Sequence, residues 1–166
     1  MIFKVMKKWV PVLLLRLLAL GGTVAATIVM VTTNDSSELF GLTFEAKFTN
    51  SPTLIYFVVV NAIASGYSLI VLFFSSKKWA RRILLVSDTI MTLLLDSSIS
   101  ACLALAQVGK QGNNHAGWLP ICGQVSEFCD HVEGALIAGF AASLLYFLLL
   151  LYSFYNVLIN LDTLKI

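Results

Sequence analysis

Hydrophobic positions along this chain fall into four long runs, Val10–Val31, Thr53–Phe74, Ile83–Val108 and Gly134–Ile159. Each exceeds the roughly 20 helical residues needed to cross about 30 Å of hydrocarbon. The pattern predicts an all-α membrane protein: a four-helix bundle forming one domain over residues 1–166. Its outer loops fall at 32–52 and 109–133 and its inner loop at 75–82. The third and fourth runs are long enough to tilt or to project beyond the bilayer. Residues 1–31 begin basic, as a signal peptide does. Their apolar stretch is longer than a signal core of about 7–15 residues, and no small-residue cleavage site closes it, so it reads as a retained helix.

Polar residues inside these runs are the informative departures, because charge in a bilayer is expensive and marks a functional or structural site. Arg16 lies six residues into the first run and Asp88 five into the third. At 1.5 Å per residue these depths are about 9 and 8 Å from the same side. Opposite charges at one depth on two helices predict an intramembrane ion pair. Arg16 alone could snorkel to the headgroups along its long stem, but the short Asp88 side chain could not.

Further polar stripes follow helical spacing. Asp88, Thr92 and Asp96 recur at i, i+4, i+8 on the third run, and Asn61, Ser65 and Ser68 form a similar stripe on the second. Asn61 and Asp96 both fall about 20 Å from the inner surface, so a hydrogen bond between them is expected, with Asp96 carrying a proton. Packing is the preferred reading of these stripes, with a polar pathway for protons or a small solute as the alternative. Small residues also mark close helix approach, Gly22 with Ala26 and Gly134 with Ala138 and Ala142. Spacing leaves open whether they pack within one bundle or between copies.

Composition agrees with the membrane reading: 58% of residues are hydrophobic and 12% charged, against about 25% charged in soluble chains. Basic residues set the orientation. Lys4, Lys7 and Lys8 precede the first run, and Lys77, Lys78, Arg81 and Arg82 lie between the second and third. The other two loops hold Lys47 and Lys110 among several acids. The positive-inside rule therefore predicts cytoplasmic N- and C-termini. Tyr152, Phe154 and Tyr155 suit an aromatic belt near the inner end of the last helix. The net charge of +2 and its distribution do not describe a nucleic-acid patch.

Cys122 and Cys129 share the second outer loop, an oxidising location, so a disulfide is expected. His115 and His131 flank them and raise a zinc site, but the cysteine spacing is wider than zinc motifs use. No metal or other cofactor is expected. Cys102, inside the third run, reads as a packing residue. Asn34-Asp35-Ser36 forms a glycosylation sequon so close to Val31 that no glycan is expected. No nucleophile, base and orienter occur together, and no glycine-rich phosphate cradle is present, so the chain reads as non-enzymatic.

The loop GKQGNNHAGWLPICGQVSEFCDHVEGALIAGF and the preceding SSISACLALAQV resemble the CASP-like family of plants, relatives of the Casparian strip membrane domain proteins. The likeness extends to LRLLALGGTVAATIVMVTT and FEAKFTNSPTLIYFVVVNAI, and is nearest to group-1 members of the 1C type. The family carries an Arg in its first helix and an Asp in its third, matched here by Arg16 and Asp88. Its paired second-loop cysteines are matched by Cys122 and Cys129. Asp96 is not part of that pattern. Phe44–Asn50 departs from the first-loop signature of the founding proteins, which argues against a role in the Casparian strip itself. Gly117, Trp118, Leu119 and Cys122 faintly resemble a claudin signature, but in the wrong loop, and that match is rejected.

The resemblance implies a MARVEL-like four-helix protein of the plasma membrane. It implies assembly into homodimers, heterodimers or larger oligomers with itself and related CASP-like proteins, as a membrane scaffold. Cell-wall components or other membrane proteins would be further partners. The rival classes are a small transporter or channel and an escort subunit of another membrane protein.

Overall fold

The computed structural model describes residues 2–39, 42–74 and 80–162, with side chains described over 10–33, 46–73 and 83–158. Four helices dominate it: α1 (Ile2–Thr32), α2 (Pro52–Phe74), α3 (Ala80–Gln111) and α4 (Ser126–Asp162). Each contains a segment long and apolar enough to cross a membrane. The chain is a multi-pass helical membrane protein.

Between α1 and α2, where the sequence predicts an outer loop without assigning it any element, the structure forms a hairpin. Strands β1 (Asn34–Leu39) and β2 (Leu42–Lys47) form an antiparallel hairpin, in register from Asn34 opposite Lys47 to Leu39 opposite Leu42. Leu42, Phe44 and Ala46 alternate with Thr43, Glu45 and Lys47, the two-residue period of a strand. A short 3-10 turn, Phe48–Asn50, then leads into α2. Asn34 is the first residue of β1, and its side chain, like those of Lys4, Lys7, Lys8, Arg81 and Arg82, lies outside the described residues. Lys77 and Lys78 lie outside them altogether.

The structure departs from the expected boundaries at the start of α4. The helix begins at Ser126, eight residues before the expected Gly134, so Cys129 and His131 belong to a helix and not to a loop. At 37 residues α4 is about 55 Å long and must project beyond the hydrocarbon. Its first turns carry Glu127, Asp130 and Glu133, which suit water and not lipid.

The connection from α3 to α4 is held by backbone geometry. Gly112 closes α3 in the left-handed region, φ 67°, and its N–H donates to the Val108 carbonyl at 2.8 Å, a helix cap that glycine favours. A Cβ on Gly112 would lie 2.6 Å from the Trp118 carbonyl oxygen. Asn113 bridges to Trp118, and its Oδ1 accepts from the N–H groups of His115 and Ala116. Further on, Ile121 and Cys122 donate back to the Gly109 carbonyl. The loop thus folds down onto the end of α3.

Two buried clusters fill the bundle. Near the hairpin end, Met30, Leu54, Phe57, Ile99, Cys102 and Leu136 meet. Nearer the other end, Ala19, Val60, Met91, Leu95, Tyr146 and Leu149 do so. Close approach of α1 and α4 depends on Gly22: a Cβ there would stand 3.0 Å from Ala142 Cβ and 3.4 Å from the Ala138 carbonyl oxygen. The small residues Gly22, Ala138 and Ala142 therefore pack inside one bundle, whereas Gly134 is exposed with open space around it.

Candidate functional site

Three helices converge on one buried carboxylate. Asp88 of α3 is fully buried, and Arg16 of α1 nearly so. Arg16 Nη2 donates to Asp88 Oδ2 at 2.8 Å and to Oδ1 at 3.0 Å. Tyr67 of α2 donates its hydroxyl to Asp88 Oδ1 at 2.7 Å. The guanidinium carbon of Arg16 stands 5.7 Å from the centre of the Tyr67 ring, within range of a cation–π attraction. Both oxygens of Asp88 are thus engaged, and the tyrosine serves both charges at once. Arg16 Nη1 has no partner among the described residues.

A buried pair of this kind earns little net stability, because desolvation offsets most of its attraction. Its role is to specify which helices meet and at what height, since a mismatched arrangement would bury one charge alone. Thr92 donates to the Asp88 carbonyl at 2.7 Å, one turn along α3. Beside the ion pair, Ser68 of α2 and Tyr146 of α4 lie 2.6 Å apart, and the Tyr146 hydroxyl donates to the Ala64 carbonyl at 2.7 Å. Ser65 of α2 reaches Thr23 of α1 at 3.1 Å. Hydroxyls therefore link α2 to α1 and to α4 around the ionic centre.

Tyr67 went unnoticed in the sequence although depth would have found it. It lies seven residues from Phe74 at the end of the second run, close to the insertion of Arg16 and Asp88 in theirs.

The expected bond between Asn61 and Asp96 is not made. Asn61 is buried, its amide donates to the Phe57 carbonyl at 2.9 Å, and its Oδ1 has no partner among the described residues. Asp96 is exposed on the bundle surface and accepts a hydrogen bond from Ser143 of α4. The cause is helical arithmetic: two steps of four residues turn about 800°, which leaves Asp96 rotated by about 80° from Asp88. That drift carries Asp96 away from α1 and α2 toward α4 and the outer surface.

At the loop end Cys122 and Cys129 form a disulfide. It ties the α3–α4 loop to the first turn of α4, and it leaves neither sulfur as a thiolate for zinc. His131 Nδ1 lies 2.7 Å from the Glu127 carbonyl, one helical turn back, and His115 is exposed in the loop. Among the described residues no group of three His, Cys, Asp or Glu side chains is placed to hold a metal. Cys102 is a buried free cysteine whose Sγ lies 3.4 Å from the Thr53 carbonyl. Lys110 and Glu133 form an exposed pair between α3 and α4.

Residues 6–145 match the family model of the Casparian strip membrane protein domain. CASP-like protein 1C1 of Vitis vinifera is 60% identical over 147 residues, covering 87% of this chain and 91% of that one. CASP-like protein 1C2 of Populus trichocarpa is 56% identical over 144 residues, covering 87% and 88%. CASP-like protein 1C1 of Arabidopsis thaliana is 52% identical over 145 residues, again covering 87% and 88%. No solved structure matches the chain. A domain match over most of the chain, and identities of this size over nearly the full length of plant relatives, establish that the chain belongs to the family of the Casparian strip membrane protein domain.

Proposed function

We propose that this chain is a non-enzymatic plasma-membrane protein, with both termini in the cytoplasm, that associates with itself and with related CASP-like proteins to form membrane domains. The observation that carries the reading is the use made of the buried polar groups. Arg16, Asp88 and Tyr67 pair with one another across three helices, and the centre between the helices is packed with Leu95, Tyr146 and Leu149. Polar chemistry in the membrane here joins helices.

A transporter would need its polar side chains aligned along one route. The stripes on α2 and α3 diverge instead, with Asn61 sealed in the core and Asp96 turned outward. That geometry favours a structural role over a conducting one. The basic residues before α1 and between α2 and α3 support the orientation. On the opposite side the disulfide holds a loop whose Trp118, Leu119 and Ile121 are exposed. In this reading that apolar loop meets partner proteins or wall components.

Photobleaching of a cytoplasmically tagged fusion in plant plasma membrane tests the proposal. Slow, incomplete recovery in discrete patches is the expected result. Rapid and complete recovery across a uniform membrane would sink it and turn attention to flux assays in liposomes.

A further inference from the structure

The middle of α3 carries an outward polar face. Asp96, Ser97, Ser100 and Gln107 are all exposed. At 100° per residue they fall, with Leu93 and Ala104, within an arc of about 100°. Asp96 is thirteen residues from Ile83 and fifteen from Gln111, the ends of the apolar segment of α3, so it stands at the centre of the span. Ser143 donates to Asp96 Oδ1, and Tyr56 lies 3.4 Å from Ser97 Oγ. Both bonds approach from the flanking helices and leave the face itself uncovered.

Lipid tails offer no hydrogen bond, and a carboxyl group exposed to them at this depth is costly. Polar side chains on such a face are met by another helix. The geometry points to this face of α3 as the contact through which a second copy of the chain docks, with Asp96 at its centre. The inference rests on the self-association reading above and adds the surface that performs it.

Self-complementarity is the argument for a second copy. Serine and glutamine side chains each donate and accept hydrogen bonds, and the Asp96 carboxyl group accepts them. A face built from them can therefore pair with itself across a twofold axis, where the same patch serves both partners. Among the described residues of the four apolar spans the Lys and Arg side chains are Arg16, held by Asp88, and Lys110, held by Glu133, so the face is matched by hydrogen-bonding groups and not by a basic partner at its own depth. Ser97, Ser100 and Ala104 are small enough to let two backbones approach.

Disulfide trapping in native membranes tests this on the full chain in a Cys102→Ser background. Single substitutions Ser97→Cys, Ser100→Cys and Ala104→Cys probe α3. Leu17→Cys, Ile63→Cys and Leu148→Cys probe the exposed faces of α1, α2 and α4. Crosslinked dimers should form from the α3 set well ahead of the other three. In the same membranes Asp96→Asn, which keeps an acceptor oxygen, should dimerise like the parent. Asp96→Ala should weaken dimerisation about three- to thirty-fold. Dimers trapped through another helix alone would overturn the α3 face while leaving self-association intact. A single copy under all conditions would overturn both. Crosslinking of α3 to an unrelated membrane protein, with no dimer, would overturn the assignment of the occupant.

Discussion

Asp88 and Asp96 sit on the same helix, about 12 Å apart along its axis, and have opposite fates. Asp88 is fully buried, with Arg16 and Tyr67 closing around it from two other helices. Asp96 is exposed and takes one hydroxyl from α4. Residue type does not separate them, since both are aspartates within an apolar span. Their angle around α3 does. A carboxylate turned into the bundle fixes how helices of one chain assemble, whereas one turned outward leaves a demand that the chain alone does not meet.

The largest effect expected comes from breaking the inner pair. Arg16→Ala or Asp88→Ala strands a buried charge and should cost about 3–5 kcal/mol, read by SDS titration of the protein in bicelles. The double replacement Arg16→Met with Asp88→Leu removes both charges and should recover most of that loss. A charge-swapped pair, Arg16→Asp with Asp88→Arg, should recover part of it. If neither double variant improves on the single ones, the two residues are not energetically coupled, and the contrast with Asp96 loses its basis.

Tyr67→Phe sharpens the account of the inner site. The ring stays over Arg16 while the hydrogen bond to Asp88 is lost, so about 1–2 kcal/mol should disappear in the same titration. No change would mean that Tyr67 only fills space.

How much of this was legible follows from what depth and period can encode. Counting residues from the end of each apolar run gives height in the membrane, and height sufficed to match Arg16 with Asp88. Height does not give the angle around the helix, and for that reason the same counting paired Asn61 with Asp96, which the bundle keeps apart. The four-residue recurrence on α3 looked like one stripe but drifts by about 40° per step. The hairpin was legible in the alternation of Leu42 to Lys47, a two-residue period that the count of apolar runs alone does not register. The early start of α4 was hidden because an apolar run marks the hydrocarbon segment, while the helix continues through Glu127, Asp130 and Glu133 into water.

Asn61 offers a third kind of buried polar group, its amide tied to its own helix and its Oδ1 without a partner among the described residues. Asn61→Leu removes an unpartnered oxygen at similar volume, so stability should rise or stay within about 1 kcal/mol of the parent. A loss of several kcal/mol in the bicelle titration would mean that the side chain has a partner across the bundle.

The smallest expected effect comes from applying one substitution at both aspartates. Asp88→Asn leaves Arg16 buried without a counter-charge and should destabilise by several kcal/mol. Asp96→Asn keeps an oxygen to accept from Ser143 and removes no charge partner, so the fold should change by no more than about 0.5 kcal/mol. The measurement is the difference between the two variants in one titration, at protein dilutions where copies do not associate. Equal losses would mean that Asp96 also belongs to the folded core, and the angular argument separating the two carboxylates would fail. A loss at Asp88 alone assigns folding to the inner carboxylate and leaves the outer one free to act between chains.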